Sequence, residues 1–407
     1  MNKTFTIRVV TVIAAVLLCS VPINAEEKPI TRDAAPHLKY VAEFDGGILY
    51  KADVFNVIEL HGNYHQMGRQ YGKLLKDDLK KFYDGAVKKF LIGREGLTSE
   101  EMVVRARSVF DIYPQRFKAI LHGMEETSGI ELDKLMILDQ IVAFPSIENR
   151  HFCSFMATWG NYTSGKSLVI GRNWDFAPTF KEFVPYLTVA VYNPDDSSIP
   201  TASIGYVGQI NTFTAINEAG LVLATNEGVA SGGRVFHDNR ISPLILNMAF
   251  LFDSFTMKQL DAALNTARTG FPFIVNVADR NAAYSYEWPT FGIKKRRGVH
   301  GGLLVATDHF VDSSWGIVKP NRGMADDSVT RRNNLLALAD KYKGTFNSAV
   351  MKTVLDTSIE KGGATWAVET YKTTYQIIAI PEHLKLWLKS PEFRDWTEID
   401  LSMLFRN

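Results

Sequence analysis

The chain has 407 residues, of which 46% are hydrophobic and 22% are charged, as expected for a globular protein with an ordinary core and surface. Its 45 basic and 44 acidic side chains leave a formal net charge of +1, so no net field attracts nucleic acid or an anionic membrane. A nucleic-acid partner is therefore not expected.

The first 25 residues read as a secretory signal peptide. Two basic side chains precede an apolar run over residues 9–18, and a short polar stretch ends at Ala25, a small residue where signal peptidase cuts. The run is about half as long as a bilayer-spanning helix needs, and no later segment approaches about 20 apolar residues. Cys19 lies in a lipobox-like context, but Leu18 before it is too large for that motif. We expect cleavage after Ala25, a secreted or periplasmic protein and no stable membrane anchor.

A mainly helical segment follows the signal. Strand patterns at 38–44 and 58–62 precede a long stretch at 64–91, where apolar residues recur at steps of three and four. Ser99 is predicted as the N-cap of a second helix because two glutamates follow it in the first turn. A third helical pattern covers 132–143.

From Cys153 onward the pattern changes to short segments rich in β-branched and aromatic residues, divided by turn pairs. The basic run Lys294–Arg297 is interpreted as a solvated turn. Strands in runs, separated by helices and without an internal repeat, indicate an α+β layered fold. The predicted strands are 153–159, 167–172, 186–192, 201–207, 211–216, 220–225, 272–278, 282–287, 302–306, 365–370 and 373–380, and the predicted helices are 242–252, 256–268 and 328–343.

Cysteine usage draws attention to one residue. Cys19 would leave with the signal, so the exported chain would keep Cys153 as its single thiol, which cannot form an internal disulfide. A free cysteine is often only a small buried hydrophobe. Composition alone therefore leaves open whether Cys153 is a core residue or a nucleophile.

The residues around Cys153 favour a nucleophilic role for its thiol. Cys153 heads a predicted β-hairpin whose returning strand carries Arg172 and Asp175. A nearby guanidinium lowers the pKa of a thiol and stabilises the thiolate. If Cys153 were a new N-terminus, its α-amine, which titrates at about 7.7–8.0, could serve as a general base, and a carboxylate could hold that amine in position.

These residues resemble the penicillin acyltransferase-like peptidase family and, more distantly, the bile-salt hydrolases and the acid ceramidase-type amidases. The resemblance covers most of the exported chain, and it rests on the order and spacing of several motifs. The matching segments are Glu59-Leu60-His61-Gly62 with Gly68 and Gly72, Cys153, Gly171-Arg172-Asn173-Trp174-Asp175, Asn217-Glu218-Ala219-Gly220-Leu221 with Thr225-Asn226-Glu227-Gly228, and Asp327-Ser328 with Arg331.

The resemblance implies an N-terminal-nucleophile hydrolase with an αββα sandwich, which cuts itself between Phe152 and Cys153. A helical α segment, 26–152, would stay associated with a β chain, 153–407, that carries the catalytic core. The substrate would be a small-molecule N-acyl amide, attacked by Cys153 to give a thioester. Water or a second amine would then take the acyl group, so the enzyme would be an amidase or an acyltransferase. No metal or organic cofactor is expected.

The resemblance also assigns roles to individual residues. Asp175 would orient the α-amine, Arg172 would support the thiolate and Asn226 would donate to the oxyanion, while Arg331 matches the family's late arginine. One position departs from the family, because Asp308 stands where an asparagine is usual. An ionised Asp308 would oppose an oxyanion, so we expect either a protonated, donating carboxyl, a backbone N–H in its place, or a different substrate.

Other interpretations remain open at this point. Arg172 and Asp175 could form an exposed ion pair, Asn226 could shape a turn, and Arg331 could lie on a solvated helix face. The same nucleophile could serve a phospholipase or esterase instead of an amidase. An intact exported binding protein, with Cys153 packed in its core, is the non-catalytic alternative.

Overall fold

Two β-sheets lie face to face between layers of helices. The computed structural model describes residues 37–144, 153–165, 167–228, 237, 239–299, 301–316, 324–366 and 372–405. The predicted signal peptide and Phe152 lie outside the described residues. Within these ranges, every helix is too short or too polar to span a bilayer.

The larger sheet combines strands from both sides of Cys153. In spatial order its strands are β1 (Lys39–Phe44), β2 (Gly47–Ala52), β3 (Phe55–Gly62), β6 (Leu187–Pro194), β7 (Thr201–Tyr206), β8 (Thr214–Asn217), β9 (Val222–Glu227), β10 (Phe273–Ala278), β11 (Ala283–Trp288) and β12 (Lys294–Arg297). Neighbours pair antiparallel except β3 and β6, which are parallel with Ile58 opposite Ala190. Because β3 precedes Cys153 and β6 follows it, this pairing joins the two parts of the predicted precursor.

The smaller sheet contains the strand that begins next to Cys153. In spatial order its strands are β13 (Leu303–Ala306), β4 (Ser154–Thr158), β5 (Val169–Phe176), β14 (Lys372–Ile380), β15 (Lys385–Ser390) and β16 (Arg394–Asp400). All residues of β4 and β5 are buried, because both faces of these central strands are covered. The predicted hairpin is present, with Phe155 opposite Arg172.

The helices cover the two sheets from outside. They are α1 (Tyr64–Leu74), α2 (Lys76–Phe82), α3 (Ser99–Asp111), α4 (Gln115–Ser128), α5 (Leu132–Asp139), α6 (Pro243–Asp253), α7 (Met257–Thr266), α8 (Met324–Lys341) and α9 (Ser348–Leu355), with a π-helical segment at Tyr83–Ile92. Helices α1 and α6 pack on the larger sheet, and α8 and α9 pack on the smaller one. Between the sheets, Arg172 of β5 and Ala224 of β9 line one small cavity. The predicted α+β fold with αββα layers is confirmed.

Glycines allow α1 and α4 to pack closely. A Cβ at Gly68 would lie 2.1 Å from the carbonyl oxygen of Ile120, and one at Gly123 would lie 2.2 Å from that of His65. Any larger residue at either position would force the helices apart. This contact explains why the motif that resembles the family's opening carries a glycine at position 68.

Several local expectations need correction. Lys294–Arg297 is the edge strand β12 and not a turn, because it pairs with β11. The N-cap of α3 is Thr98, one residue before Ser99, and it forms a capping box with Glu101. Strands β2, β15 and β16 and helices α4 and α9 were not predicted, and the predicted strand at 365–370 lies mostly outside the described residues.

Candidate active site

Cys153 lies immediately before β4, so the neighbouring strands of the smaller sheet bring functional groups to it. On one side β5 carries Arg172 and Asp175, and on the other side β13 leads into Asp308. Arg331 reaches the same point from α8. The sheet register therefore gathers side chains that are up to 178 residues apart in the chain.

The backbone of Cys153 is held by an ion pair. Its N–H donates to Oδ1 of Asp308 at 3.1 Å, and its carbonyl oxygen accepts from Nη1 of Arg331 at 2.8 Å. Nη2 of Arg331 donates to Oδ2 of Asp308 at 2.7 Å, and both side chains are almost completely buried. Charge-assisted hydrogen bonds of this kind are roughly twice as strong as neutral ones. The pair fixes the position at which the predicted N-terminus would form.

The thiol of Cys153 is fully buried next to one guanidinium. Nη2 of Arg172 is 3.4 Å from Sγ and also donates to the carbonyl oxygen of Thr225 at 2.6 Å. Burial raises the pKa of the Cys153 thiol to about 12, although Arg172 acts in the opposite direction. In this intact chain the thiol is therefore protonated near neutral pH, and a base would have to remove its proton to give the thiolate.

Two buried carboxyl groups share Arg331. Besides its bond to Asp308, Arg331 places Nη1 3.7 Å from Oδ2 of Asp175. Burial, opposed by Arg331, raises the pKa of Asp175 to about 7 and that of Asp308 to about 6, and the charge of Asp308 also raises the pKa of Asp175. These carboxyl groups can exchange protons near neutral pH, as acid–base chemistry requires.

Asn226 presents a buried amide with a fixed orientation. Nδ2 of Asn276 on β10 donates to Oδ1 of Asn226 at 2.8 Å, which directs the Nδ2 group of Asn226 the other way. Among the described residues, this Nδ2 group has no acceptor with hydrogen-bond geometry. It lies near enough to Asp308 to lower the pKa of that carboxyl group. A buried amide donor without an acceptor can stabilise an oxyanion.

The structure brings Cys153 and its five predicted partners into one buried cluster, but the contacts differ from the predicted ones. The acceptor for the Cys153 N–H is Asp308, whereas the sequence prediction assigned that contact to Asp175. Both carboxylate oxygens of Asp308 accept hydrogen bonds, from Cys153 and from Arg331. This geometry is that of an anionic acceptor and not of a neutral donor.

Sequence reasoning missed the residues that hold this cluster. Asn276 orients Asn226, the Thr225 carbonyl anchors Arg172, and Oγ of Ser328 accepts from the N–H of Asp308 at 2.8 Å. Of these residues only Ser328 could be found from the sequence, because it belongs to the Asp327-Ser328 segment that resembles a family motif. In the part of the chain that the structure describes, no group of three His, Cys, Asp or Glu side chains is placed to hold a metal ion.

No family model and no curated protein matches the chain. Among solved structures it is similar to conjugated bile acid hydrolase from Clostridium perfringens, with 12% identity and a TM-score of 0.47 over 63% of this chain and 95% of that one. It is also similar to an N-acylethanolamine-hydrolyzing acid amidase ortholog from Caenorhabditis elegans, with 13% identity and a TM-score of 0.41 over 56% and 93%. It is similar as well to penicillin V acylase from Agrobacterium tumefaciens, with 12% identity and a TM-score of 0.42 over 62% of this chain and 88% of that one. Similarity this distant leaves the activity of the chain to be argued from its own site.

Proposed function

We propose that the chain is a self-processing cysteine amidase that cleaves the acyl–nitrogen bond of a small-molecule N-acyl amide. One observation carries the proposal: separate charged groups contact the nitrogen, the carbonyl oxygen and the sulfur of Cys153. Asp308 accepts from the nitrogen, Arg331 donates to the oxygen and Arg172 lies beside Sγ. A cysteine that only fills the core needs none of these contacts.

Self-cleavage would free the amine of Cys153. Sγ attacks the carbonyl carbon of Phe152, the C–N bond breaks, and the thiol proton ends on the nitrogen of Cys153. Water then hydrolyses the thioester, giving a new carboxylate on Phe152 and restoring the thiol. The resulting α-amine remains on Asp308, because that contact already exists in the intact chain.

Substrate turnover would use the same atoms. The α-amine, held by Asp308, takes the thiol proton and passes it to the leaving nitrogen of the substrate. Arg172 stabilises the thiolate, and Asn226 donates to the oxyanion of the tetrahedral intermediate. Attack of water on the thioester gives hydrolysis, and attack of a second amine gives acyl transfer.

Two further parts of the proposal concern the chain as a whole. The signal-like segment would direct the protein out of the cytoplasm with cleavage after Ala25. The 26–152 segment would remain attached to the 153–407 chain after the cut, since the parallel pairing of β3 with β6 continues to join them.

The masses of the purified protein test self-processing. We expect two fragments, 26–152 and 153–407, that migrate together under native conditions, while Cys153→Ala remains a single chain. Ser154→Ala is the matched control, because it removes a neighbouring buried hydroxyl and should still be cut. Cleavage of Cys153→Ala after Phe152 would mean that an outside protease makes the cut, and the mechanism would be wrong.

An amide and an ester that share one acyl group test the reaction class. The processed protein should hydrolyse the amide, and one equivalent of a thiol alkylator, bound at Cys153, should abolish the reaction. Hydrolysis of the ester alone would support the esterase alternative. Full activity after complete labelling of Cys153 would exclude that residue as the nucleophile.

A further inference from the structure

An open cleft of about 380 Å³ is lined by none of the candidate-site residues. One wall is the π-helical segment Tyr83–Ile92, which precedes Cys153, and the other is the 3-10-helical segment Pro178–Tyr186, which follows it. The cleft therefore spans the junction of the two fragments that self-cleavage would produce. Its volume is in the range of small-molecule sites, and π-helical turns occur frequently at functional sites.

Aromatic rings form the floor of this cleft. Phe90 and Phe183 are buried, and Tyr186 is half-buried. The ring of Phe82 packs on Phe183 and Tyr186 with centroid distances of 5.4 and 5.8 Å, which fixes the positions of both rings. A Cβ at Gly85 would lie 2.6 Å from Cε1 of Phe183, so the glycine lets this ring lie against the π-helical wall. The floor therefore offers a preformed apolar surface to a ring or a short alkyl chain.

The rim of the cleft carries an excess of positive charge. Lys81, Lys89 and Arg94 are exposed there, and within the described residues none of these side chains makes a hydrogen bond or an ion pair. Two acidic side chains also line the cleft, but Asp84 is already bound at 2.7 Å by the lysine one helical turn further on. Glu182 is then the acidic group that faces three cations without partners. Such an arrangement favours an anionic ligand.

Buried rings separate the cleft from Cys153. Trp174 lies on β5 beside the start of β4, and from it a series of ring contacts leads to the floor of the cleft. Trp174, Phe176, Phe180 and Phe183 are all buried, and successive ring centroids are 5.0, 4.5 and 5.5 Å apart. A ligand in the cleft would therefore contact neither the thiol nor the charged groups around it.

We propose that this cleft binds a small carboxylate with an apolar body, either an aromatic ring or a short alkyl chain, and that the ligand bridges the two fragments. The guanidinium of Arg94 matches a carboxylate with two parallel hydrogen bonds, Lys81 and Lys89 add positive charge, and the aromatic floor accepts the apolar body. Hydrolysis of an N-acyl amide releases a carboxylate of this kind, so the source of the ligand rests on the proposed function. Because the two walls belong to different fragments, an occupied cleft would stabilise their association.

Calorimetric titration of the purified protein with phenylacetate tests the site. Phenylacetate should bind about tenfold more tightly than acetate, which lacks the ring, than phenethyl alcohol, which lacks the charge, and than inorganic phosphate. In the double variant Lys89→Gln with Arg94→Gln, the affinity for phenylacetate should fall about tenfold, because charge-assisted hydrogen bonds are lost. The matched control is Lys258→Gln with Arg268→Gln, which removes two exposed cations elsewhere and should leave the affinity unchanged.

Three results of the titration would overturn the proposal. They are absence of phenylacetate binding, equal affinity for phenylacetate and any of the three comparison ligands, and an affinity that survives in the double variant, which would place phenylacetate at another site. If the chain is not cleaved, self-processing fails, but titration of the intact chain still decides whether the cleft binds the carboxylate.

Bridging is measured on the processed protein, as the urea concentration at which the two fragments separate on gel filtration. Saturating phenylacetate should raise this concentration in the unaltered protein but not in the double variant. An unchanged concentration in the unaltered protein, together with normal binding in the titration, would show that the ligand does not hold the fragments together.

Discussion

Two buried networks centre on aspartate, and they satisfy their polar groups differently. Asp139, at the end of α5, accepts from the backbone N–H groups of Ile210 and Asn211 at 2.9 and 3.0 Å through Oδ1. Its Oδ2 accepts from the hydroxyl of Tyr113 at 2.7 Å and from the amide of Gln140 at 2.9 Å. Both oxygens are thus occupied by uncharged donors, and the network ties the segment before Cys153 to the one after it.

The network around Asp308 is less complete and carries more charge. Asp308 and Asp175 share Arg331, while Nε and Nη1 of Arg172 and Nδ2 of Asn226 have no acceptor among the described residues. A buried donor without an acceptor costs about 1–3 kcal/mol. The Asp139 network therefore satisfies its donors within the fold, whereas the Asp308 network leaves donors unused, as the proposed oxyanion-stabilising role of Asn226 requires.

The largest effect is expected at Arg331, which neutralises both carboxylates. Arg331→Met leaves Asp175 and Asp308 buried without their cation, so it should destabilise the fold by about 3–5 kcal/mol and abolish self-cleavage. Urea denaturation and fragment masses measure the two effects.

Arg116→Met is the matched control for that substitution. Arg116 binds Asp253 through both terminal nitrogens at 2.7 Å, but the carboxylate is more than half exposed. Its loss should cost about 1 kcal/mol or less and leave processing intact. Equal losses at Arg331 and Arg116 would contradict the idea that the Asp308 network is a buried charge cluster.

Asp308→Asn should have the next largest effect. Asparagine has only one acceptor oxygen, so it can accept from the nitrogen of Cys153 or from Arg331 but not from both, and its NH2 group then faces the other donor. The substitution also removes the negative charge. We expect kcat to fall about 100-fold in protein that folds, with the alkaline part of the pH profile unchanged. An unchanged or higher kcat would instead support a protonated Asp308 that donates to the oxyanion.

The sequence predicts the fold well where the pattern is strong. The change from helical to strand periodicity at Cys153 places this residue at the head of β4, and the hairpin spacing places Arg172 on β5. Helices α4 and α9 were missed because each packs on a partner that a local window does not contain, α4 on the glycines of α1 and α9 on Gly171 of β5. Strands β15 and β16 were missed although β15 carries an apolar run.

The sequence predicted which residues lie in the candidate site, but not which atoms they contact. Which carboxylate accepts from the Cys153 nitrogen depends on the register of β13 against β4 and on where α8 places Arg331, and neither follows from local pattern. Asn276 was not predictable for the same reason, since it meets Asn226 only across the pairing of β10 with β9.

Asp139→Asn replaces an aspartate by asparagine in the Asp139 network, as Asp308→Asn does in the other one. It should lower the stability of the fold without changing catalytic activity. The amide has one acceptor oxygen, so some of the donors that meet Asp139 lose their acceptor, and the fold should lose about 1–3 kcal/mol. Activity per folded molecule should match that of the unaltered enzyme. A loss of kcat comparable to that of Asp308→Asn would remove the distinction between the two networks.

The smallest predicted effect is a pH dependence of stability that originates at Asp175. Its pKa is raised from 3.8 to about 7 in the folded chain, so between these values the folded state binds more protons than the unfolded state. The contribution of this aspartate to stability is therefore fully present below pH 3.8 and is lost as pH rises to about 7. His309 acts with the opposite sign, because burial lowers its pKa to about 4 and stability from this group increases with pH. Asp308, whose pKa is raised to about 6, acts with the same sign as Asp175, so a single stability curve would mix three groups.

The measurement is therefore a difference between two intact chains, Cys153→Ala and Cys153→Ala with Asp175→Asn, unfolded in urea at several pH values from 4 to 7. The stability advantage of aspartate over asparagine should shrink steadily across this range, while His309 contributes equally to both chains and cancels. A constant difference would mean that Asp175 keeps an ordinary pKa and is not part of the coupled cluster.

In the processed enzyme, activity should increase across the same range, because Asp308 must be ionised and the amine of Cys153 must be neutral. Stability from the charge cluster and catalysis by it would then have opposite pH dependences. Burial also raises the pKa of Asp139, so that network shares the sign of the stability effect, but its hydrogen bonds go to Tyr113, Ile210 and Asn211 and we expect no matching change in catalysis.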